Sequence, residues 1–322
     1  MKPRVLVTLK IPMEDLAPLD GVAEVVMSPH ELNAMPRAEI LEQIGDCDAL
    51  LSQGELRVDD ELLDAAPKLR IAANAAMGID NLDLEALNRR GIWATNTPAA
   101  FVESTADLTF GLILSVTRRI AEGDRFVRRG EWEKTGMQPI RWEGRLLGGK
   151  TLGLVGYGKI AQAVELRARA FGLRVLHTRT RPSDHSDSRS LSELLAESDL
   201  VGLFVPHTPS THHLMNAETL SQMKPGAVLI NVARGKVVDE SALVDALQRG
   251  HLGGAGLDVF EAEPKVNPAL FSLENVVLTP HIGGSTREDR GGGRREAAEN
   301  VARVLRGELP LTPVNEPGSI QA

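Results

Sequence analysis

Short aliphatic runs recur along this chain and alternate with longer stretches in which apolar residues return every three or four positions. That alternation is expected of parallel sheets covered by helices on both faces. The first hundred residues hold four such runs, RVLVTL, DALLS, LRIAAN and IWATN. Phe101 to Gly130 then reads as one long helix, with Pro98 before it and Gly130 as its stop. A second series follows in KTLGLVGYG, LRVLHT, DLVGLFVP, AVLINVARG, GGAGLDVF and NVVLTPHI. Within it DESALVDALQRG predicts a helix capped by Asp239, with Leu243, Ala246 and Leu247 on its apolar face and Gly250 closing it. After Thr286 the chain turns helical again and ends in a Pro-rich tail. Two successive α/β series predict two lobes facing each other across a cleft.

Composition narrows the function classes. At 322 residues the chain is long enough for two domains. Aromatic residues are only 3% of the total, which argues against stacking platforms for single-stranded nucleic acid. A net charge of -8, without long single-sign blocks, disfavours DNA, RNA and anionic membranes as partners. Cys47 is the one cysteine, so neither an internal disulfide nor a cysteine zinc cluster can form; it is a redox thiol or, on the better reading, a small buried residue. The N-terminal MKPRVLVTLKIP lacks a signal-peptide h-region, and no stretch approaches the length of a membrane span. The chain reads as cytoplasmic.

The most specific local signal is LGLVGYGKIAQAVELRARAFG, which places Gly156, Gly158 and Ala161 in GxGxxA spacing after a strand and at the opening of a helix. In that context the first small residue permits the tight turn, the second lets amides approach a pyrophosphate, and the third lets helix and strand pack closely. Tyr157, Lys159 and Ile160 belong to the same turn. The alternative is an ordinary tight turn between strand and helix. The predicted fold is therefore α/β, two Rossmann-like doubly wound parallel-sheet domains flanking a cleft. The next strand, LRVLHT, should end near a carboxylate that holds the ribose hydroxyls of NAD. Arg179 stands there instead, with Thr178, Thr180 and Arg181 beside it, and no acid appears before Asp184. Arginine offers a planar donor fork suited to a 2'-phosphate, so NADP (NADPH) is predicted over NAD as the weaker alternative. The competing reading leaves both arginines as surface residues and admits either cofactor.

In open parallel sheets ligands lie beyond the carboxyl ends of the strands. There AVLINVARG ends in Arg234, GGAGLDVF ends near Asp258, VVLTPHI ends in His281, and Glu263 follows in the loop DVFEAEP. These residue types suit reduction of a 2-oxo acid: Arg234 holds the carboxylate in a bidentate grip, His281 delivers a proton to the carbonyl oxygen, and Glu263 keeps His281 protonated. Singly, a strand-end arginine reads as a surface ion pair and a lone histidine as structural. HTPSTHHLMN also gathers His207, His212 and His213, but without a carboxylate set it is read as surface or nucleotide edge, and no metal is expected.

GYGKIA, NVARGKVVDESALVDALQRG, GAGLDVFEAEP and LTPHIGGST, in this order, resemble the motifs of the D-isomer-specific 2-hydroxyacid dehydrogenases, and NTPAAFVESTADLTFGLIL is similar to that family's interdomain helix. The resemblance covers nearly the whole chain. It implies that Arg234, Glu263 and His281 are the catalytic arginine, glutamate and histidine, and that Asp258 lies near the nicotinamide carboxamide. It also implies a discontinuous substrate domain, 1–99 plus 287–322, around a dinucleotide domain, 100–286. Thr105, Thr211, Val232, Ala233 and Gly283 complete the expected cofactor-binding set. In AAMGIDNLDL the amides of Met77 and Gly78 are expected at the substrate carboxylate, unless the loop is only a glycine turn, and Leu56 helps to shape the pocket. Trp142 either reaches the partner subunit's site or packs an interface. Within the family HTRTR resembles the NADP-preferring glyoxylate and hydroxypyruvate reductases. The expectation is a homodimeric reductase of a small 2-oxo acid, with a reductase of a bulkier 2-oxo acid or a non-catalytic, corepressor-like dinucleotide sensor as alternatives. Gly291, Gly292 and Gly293 depart from the pattern, at roughly 1 kcal/mol each against alanine, and predict a broken or late-starting C-terminal helix.

Overall fold

The computed structural model describes residues 2–179 and 186–317. The chain divides into two units, Met1–Phe101 with Gly284–Ala322, and Val102–Gly283.

The first unit holds a five-stranded, wholly parallel sheet in the order β2-β1-β3-β4-β5. Its strands are β1 (Arg4–Val7), β2 (Glu24–Met27), β3 (Ala49–Ser52), β4 (Ile71–Asn74) and β5 (Trp93–Thr95). Side chains alternate between two aliphatic cores: Val5 and Val7 pack with Leu51, Ile71 and Ala73 on one face, while Leu6 joins Leu50, Leu62 and Leu87 on the other. Cys47 is buried in this second core. The strand β2 is not among the predicted runs; its apolar stretch is short, and it lies at the sheet edge, only half buried.

The helix Arg287–Leu305 covers the first core with Ala297, Ala298, Val301, Ala302 and Val304. It is continuous, which corrects the expected break at the glycine triplet. Thr286 caps it by accepting from the Asp289 amide at 3.2 Å. The glycines reflect close packing: a Cβ on Gly293 would lie 2.9 Å from the Phe101 ring, and one on Gly291 would lie 3.2 Å from the buried Asp15 carboxylate. Asp15 in turn binds Arg294 and Arg295 from the same helix.

The second unit holds a six-stranded parallel sheet in the order β11-β10-β9-β8-β6-β7. These are β6 (Thr151–Val155), β7 (Arg174–His177), β8 (Leu200–Leu203), β9 (Val228–Asn231), β10 (Gly254–Leu257) and β11 (Val276–Leu278). Strand order reverses between β6 and β8, a topological switch point of the doubly wound kind. The helix predicted after Asp239 runs Glu240–Gln248, and Asp239 accepts from the Ala242 amide. The predicted long helix is instead two, Val102–Thr117 and Ile120–Arg128, because Arg119 takes a left-handed backbone (φ 56°) between them. The carbonyl of Thr117 is met by the Arg145 amide at 2.8 Å, which ends the first helix. Among the described residues no helix is long and apolar enough to cross a membrane.

Candidate active site

Two groups of residues gather at the carboxyl edge of the second unit's sheet. The first is the glycine turn after β6. Gly156 has φ 89°, and a Cβ there would meet Val205 and the Phe204 backbone at 2.8 to 3.0 Å, so only glycine fits. Its amide donates to Thr178 Oγ1 at 3.0 Å, which ties the turn to the end of β7. Gly158 precedes the helix Lys159–Ala170 and gives it no side-chain cap, while a Cβ on Gly158 would meet nothing within 4 Å. Amides at such a helix start favour an anion. Ala161 is fully buried against the sheet. Arg179 is exposed and lies over the Tyr157 ring, 4.5 Å from its centroid. The same ring stacks on His177 at 3.9 Å, and the Tyr157 hydroxyl donates to Glu165. Burial and that bond push the phenol up to about 12. Thr180 and Arg181 lie outside the described residues.

The second group stands on the loops after β9, β10 and β11. Arg234 follows β9 in extended backbone; the side chain of Asn231 donates to its carbonyl at 3.1 Å and accepts from the Ala233 amide at 3.0 Å. Val232 and Ala233 are buried beside it. Asp258, after β10, is 1% exposed and its carboxylate accepts from Thr279 Oγ1, the Ile282 amide and the Gly283 amide at 2.6 to 2.8 Å. The turn that presents His281 is thus wrapped on one carboxylate. Thr105 is buried within van der Waals reach of the same place, 3.5 Å from a Cβ built on Gly283.

His281 has a left-handed backbone (φ 53°) and its amide donates to the Asp258 carbonyl at 2.9 Å. Its Nδ1 donates to Glu263 Oε2 at 2.8 Å, while Glu263 Oε1 accepts from the Phe260 amide at 2.9 Å. The bond to Glu263 raises the His281 imidazole above its ordinary value, against burial and the Arg234 guanidinium, with a smaller raising contribution from Asp258. Burial works to raise the Glu263 carboxyl, but the bonds from His281 and the Phe260 amide, with the Arg234 charge, outweigh it and hold it below the usual range. Each partner thus favours the charged form of the other, and Nε2 is left as the ring's other proton-bearing atom.

Other candidate residues stand elsewhere. In the first unit the carbonyls of Met77 and Gly78 accept at 2.8 Å from the side chains of Asn96 and Asn74. Asn81 accepts from Asn74 and donates to the Leu56 carbonyl, so three asparagines hold this loop. Leu56 is buried in the core. Trp142 packs edge-on against Phe126, its ring centroid 4.9 Å away, with the guanidiniums of Arg119 and Arg141 at 5.3 Å. Thr211 folds its own loop by donating to the Pro206 carbonyl at 2.6 Å. His207 and His212 bond at 3.2 Å; His213 turns instead to Glu261 at 2.7 Å. Among the described residues no cluster of three or more His, Cys, Asp or Glu is placed to hold a metal. Sequence reasoning overlooked the asparagines, Thr279 and Glu261, and it read His213 as surface or nucleotide edge without its partner Glu261. The asparagines ending LRIAAN and IWATN are polar residues at the tips of aliphatic strands, which is the signal that marks them.

The family model described as D-isomer specific 2-hydroxyacid dehydrogenase, NAD binding domain, matches residues 110–283. A glyoxylate reductase of Pyrococcus furiosus is 47% identical over 324 residues, covering 98% of this chain and 96% of the relative. Among solved structures, the TT0316 protein of Thermus thermophilus superposes with a TM-score of 0.90 at 44% identity, covering 97% of this chain and 99% of that one. An NADPH-dependent glyoxylate/hydroxypyruvate reductase from Sinorhizobium meliloti, in complex with NADP and malonate, gives 0.84 at 35% identity, covering 98% and 97%. With its glycine turn, its paired histidine and glutamate, and this likeness over nearly its full length, the chain belongs to the D-isomer specific 2-hydroxyacid dehydrogenase family.

Proposed function

We propose that the protein is an NADPH-dependent reductase of small 2-oxo acids, glyoxylate or hydroxypyruvate, giving the D-2-hydroxy acid where a stereocentre arises. The observation that carries this reading is the His281–Glu263 pair standing on the same sheet edge as Arg234. The names of the Pyrococcus and Sinorhizobium relatives support the choice of substrate.

The glycine turn fits a dinucleotide, since Gly158 leaves room and the helix behind it presents uncapped amides to a pyrophosphate. Arg179, already resting on the Tyr157 ring, supports a 2'-phosphate and hence NADPH over NADH. When bound, the dihydronicotinamide supplies the hydride. Arg234 holds the substrate carboxylate and so orients the carbonyl carbon. His281 gives the proton from Nε2 to the carbonyl oxygen, because Nδ1 is committed to Glu263. Glu263 favours the charged imidazole despite the nearby guanidinium.

In the same reading residues 1–99 with 287–322 supply the substrate domain, with Met77 and Gly78 at the carboxylate, and residues 100–286 supply the cofactor domain. The protein works as a cytoplasmic homodimer; Met137, Ile140 and Leu146, all about four-fifths exposed, support a second copy docking on the segment that carries Trp142. The test is to follow NADPH and NADH oxidation in parallel with glyoxylate, hydroxypyruvate, pyruvate and phenylpyruvate. The highest kcat/KM is expected for NADPH with glyoxylate or hydroxypyruvate, and no oxidation with any of the four acids overturns the reading.

A further inference from the structure

The segment after β10 carries two glutamates, and each is held by a histidine. Glu263 accepts from His281, and Glu261 accepts from His213 Nε2 at 2.7 Å. Both histidines have left-handed backbone, φ 53° and 48°. Side chains are disfavoured in that region, and such residues persist where their surroundings over-determine them. His213 is fixed from several directions. Its amide donates to the Lys236 carbonyl at 2.9 Å, its carbonyl accepts from Asn216, and its ring stacks on His212 with centroids 4.1 Å apart.

Glu261 has a second anchor. Its amide donates to Glu240 Oε1 at 2.6 Å, and Glu240 is buried at the first turn of the helix Glu240–Gln248. The strip that carries His213 is also laced to the loop after β9, since Met215 pairs with Val238 just beyond Arg234 and Gly235. Glu263, in turn, is closed onto the Phe260 amide, so a shift of residue 261 is transmitted to the carboxylate that faces His281.

We infer that His213 and Glu261 are a positioning pair, which fixes the Phe260–Glu263 segment against the Arg234 loop and so sets the direction from which Glu263 reaches His281. This rests on the reading of His281 as the proton donor. The charged groups facing His281 are Glu263, Arg234 and Asp258, and of these only Glu263 sits on the segment that the pair holds.

Three variants test it, with His281→Asn as the control. His213→Asn keeps a residue that tolerates left-handed backbone but is too short to reach Glu261. Glu261→Ala removes the acceptor, and Glu261→Gln keeps an acceptor oxygen without the charge. In His213→Asn and Glu261→Ala, kcat for glyoxylate reduction falls roughly tenfold, the basic limb of its pH profile moves to lower pH, and NADPH affinity by fluorescence titration stays that of the wild type. Glu261→Gln restores both rate and limb. A limb that stays in place in the first two variants, or one that moves as far in Glu261→Gln as in Glu261→Ala, overturns the inference. If Glu261→Ala does not fold, His213→Asn decides alone. Retained turnover in His281→Asn would instead sink the proton-donor reading itself.

Discussion

Gly235 sits where the loop carrying Arg234 meets the segment carrying Glu263. A Cβ built on it would lie 1.8 Å from the Phe260 carbonyl oxygen, 1.9 Å from its carbon and 2.5 Å from the Glu261 amide nitrogen, all backbone atoms that cannot rotate away. Ordinary contact begins at 3.4 Å. In Gly235→Ala the Phe260–Glu261 peptide must therefore retreat by the difference, about 1.6 Å, or Arg234 must move by as much. A displacement of about 1 Å in a catalytic arrangement costs roughly a hundredfold in rate, so kcat/KM should fall at least that far. Forcing one carbon into a packed site costs about 1–3 kcal/mol of stability, out of roughly 5–15 kcal/mol available. The variant should then be folded but slow. Initial rates of NADPH oxidation with glyoxylate, beside urea unfolding of both proteins, separate the two effects. A folded Gly235→Ala enzyme within about threefold of wild-type kcat/KM would refute the claim that these two loops are in rigid register.

Four further outcomes follow from the described geometry. His281→Asn should abolish turnover while NADPH titration remains near that of the wild type; weakened cofactor binding with a near-normal rate would contradict the proton-donor role. In Glu263→Gln the imidazolium loses its carboxylate, and because reduction needs the protonated ring, which persists only below its own pKa, the basic limb of the pH profile should move to lower pH; a limb that stays or rises refutes the assignment. Arg179→Asp should reverse the preference between NADPH and NADH, and an unchanged ratio of kcat/KM values removes Arg179 from the phosphate site. In the C-terminal helix, Gly292→Ala meets nothing within 4 Å and should stabilise by about 1 kcal/mol, whereas Gly293→Ala meets the Phe101 ring at 2.9 Å and should not; equal stabilisation in urea unfolding would show that packing does not explain the glycines.

Much of this molecule is legible in the chain because buried parallel strands write their signal twice, as an aliphatic run and as the functional residue at its tip. AVLIN followed by Arg234, and VVLTP followed by His281, are instances. The glycine turn is equally plain, since Gly156 answers a local demand for positive φ and a close neighbour. What escaped is set by contacts between residues far apart in sequence. The strand β2 is half exposed at the sheet edge and offers only the short run Val25–Met27. The break at Arg119 leaves the helical periodicity intact on both sides, so nothing in the spacing announces it. The glycine triplet misled in the opposite direction, because propensity cannot see Phe101 or Asp15. His213 and Glu261 are 48 residues apart, and only the fold makes them neighbours.

The first unit begins at the N-terminus, yet one face of its sheet is covered by a helix that starts at Arg287. While the polypeptide is being translated, Val5, Val7, Leu51 and Ile71 are made early but wait for Ala298, Val301 and Ala302 to leave the ribosome. The contiguous second unit, Val102–Gly283, is fully synthesised before that point, so the order of birth and the order of completion are inverted. Nascent chains stopped short of residue 287 should therefore present an apolar, unfinished face of the N-terminal segment Met1–Phe101 to chaperones and proteases.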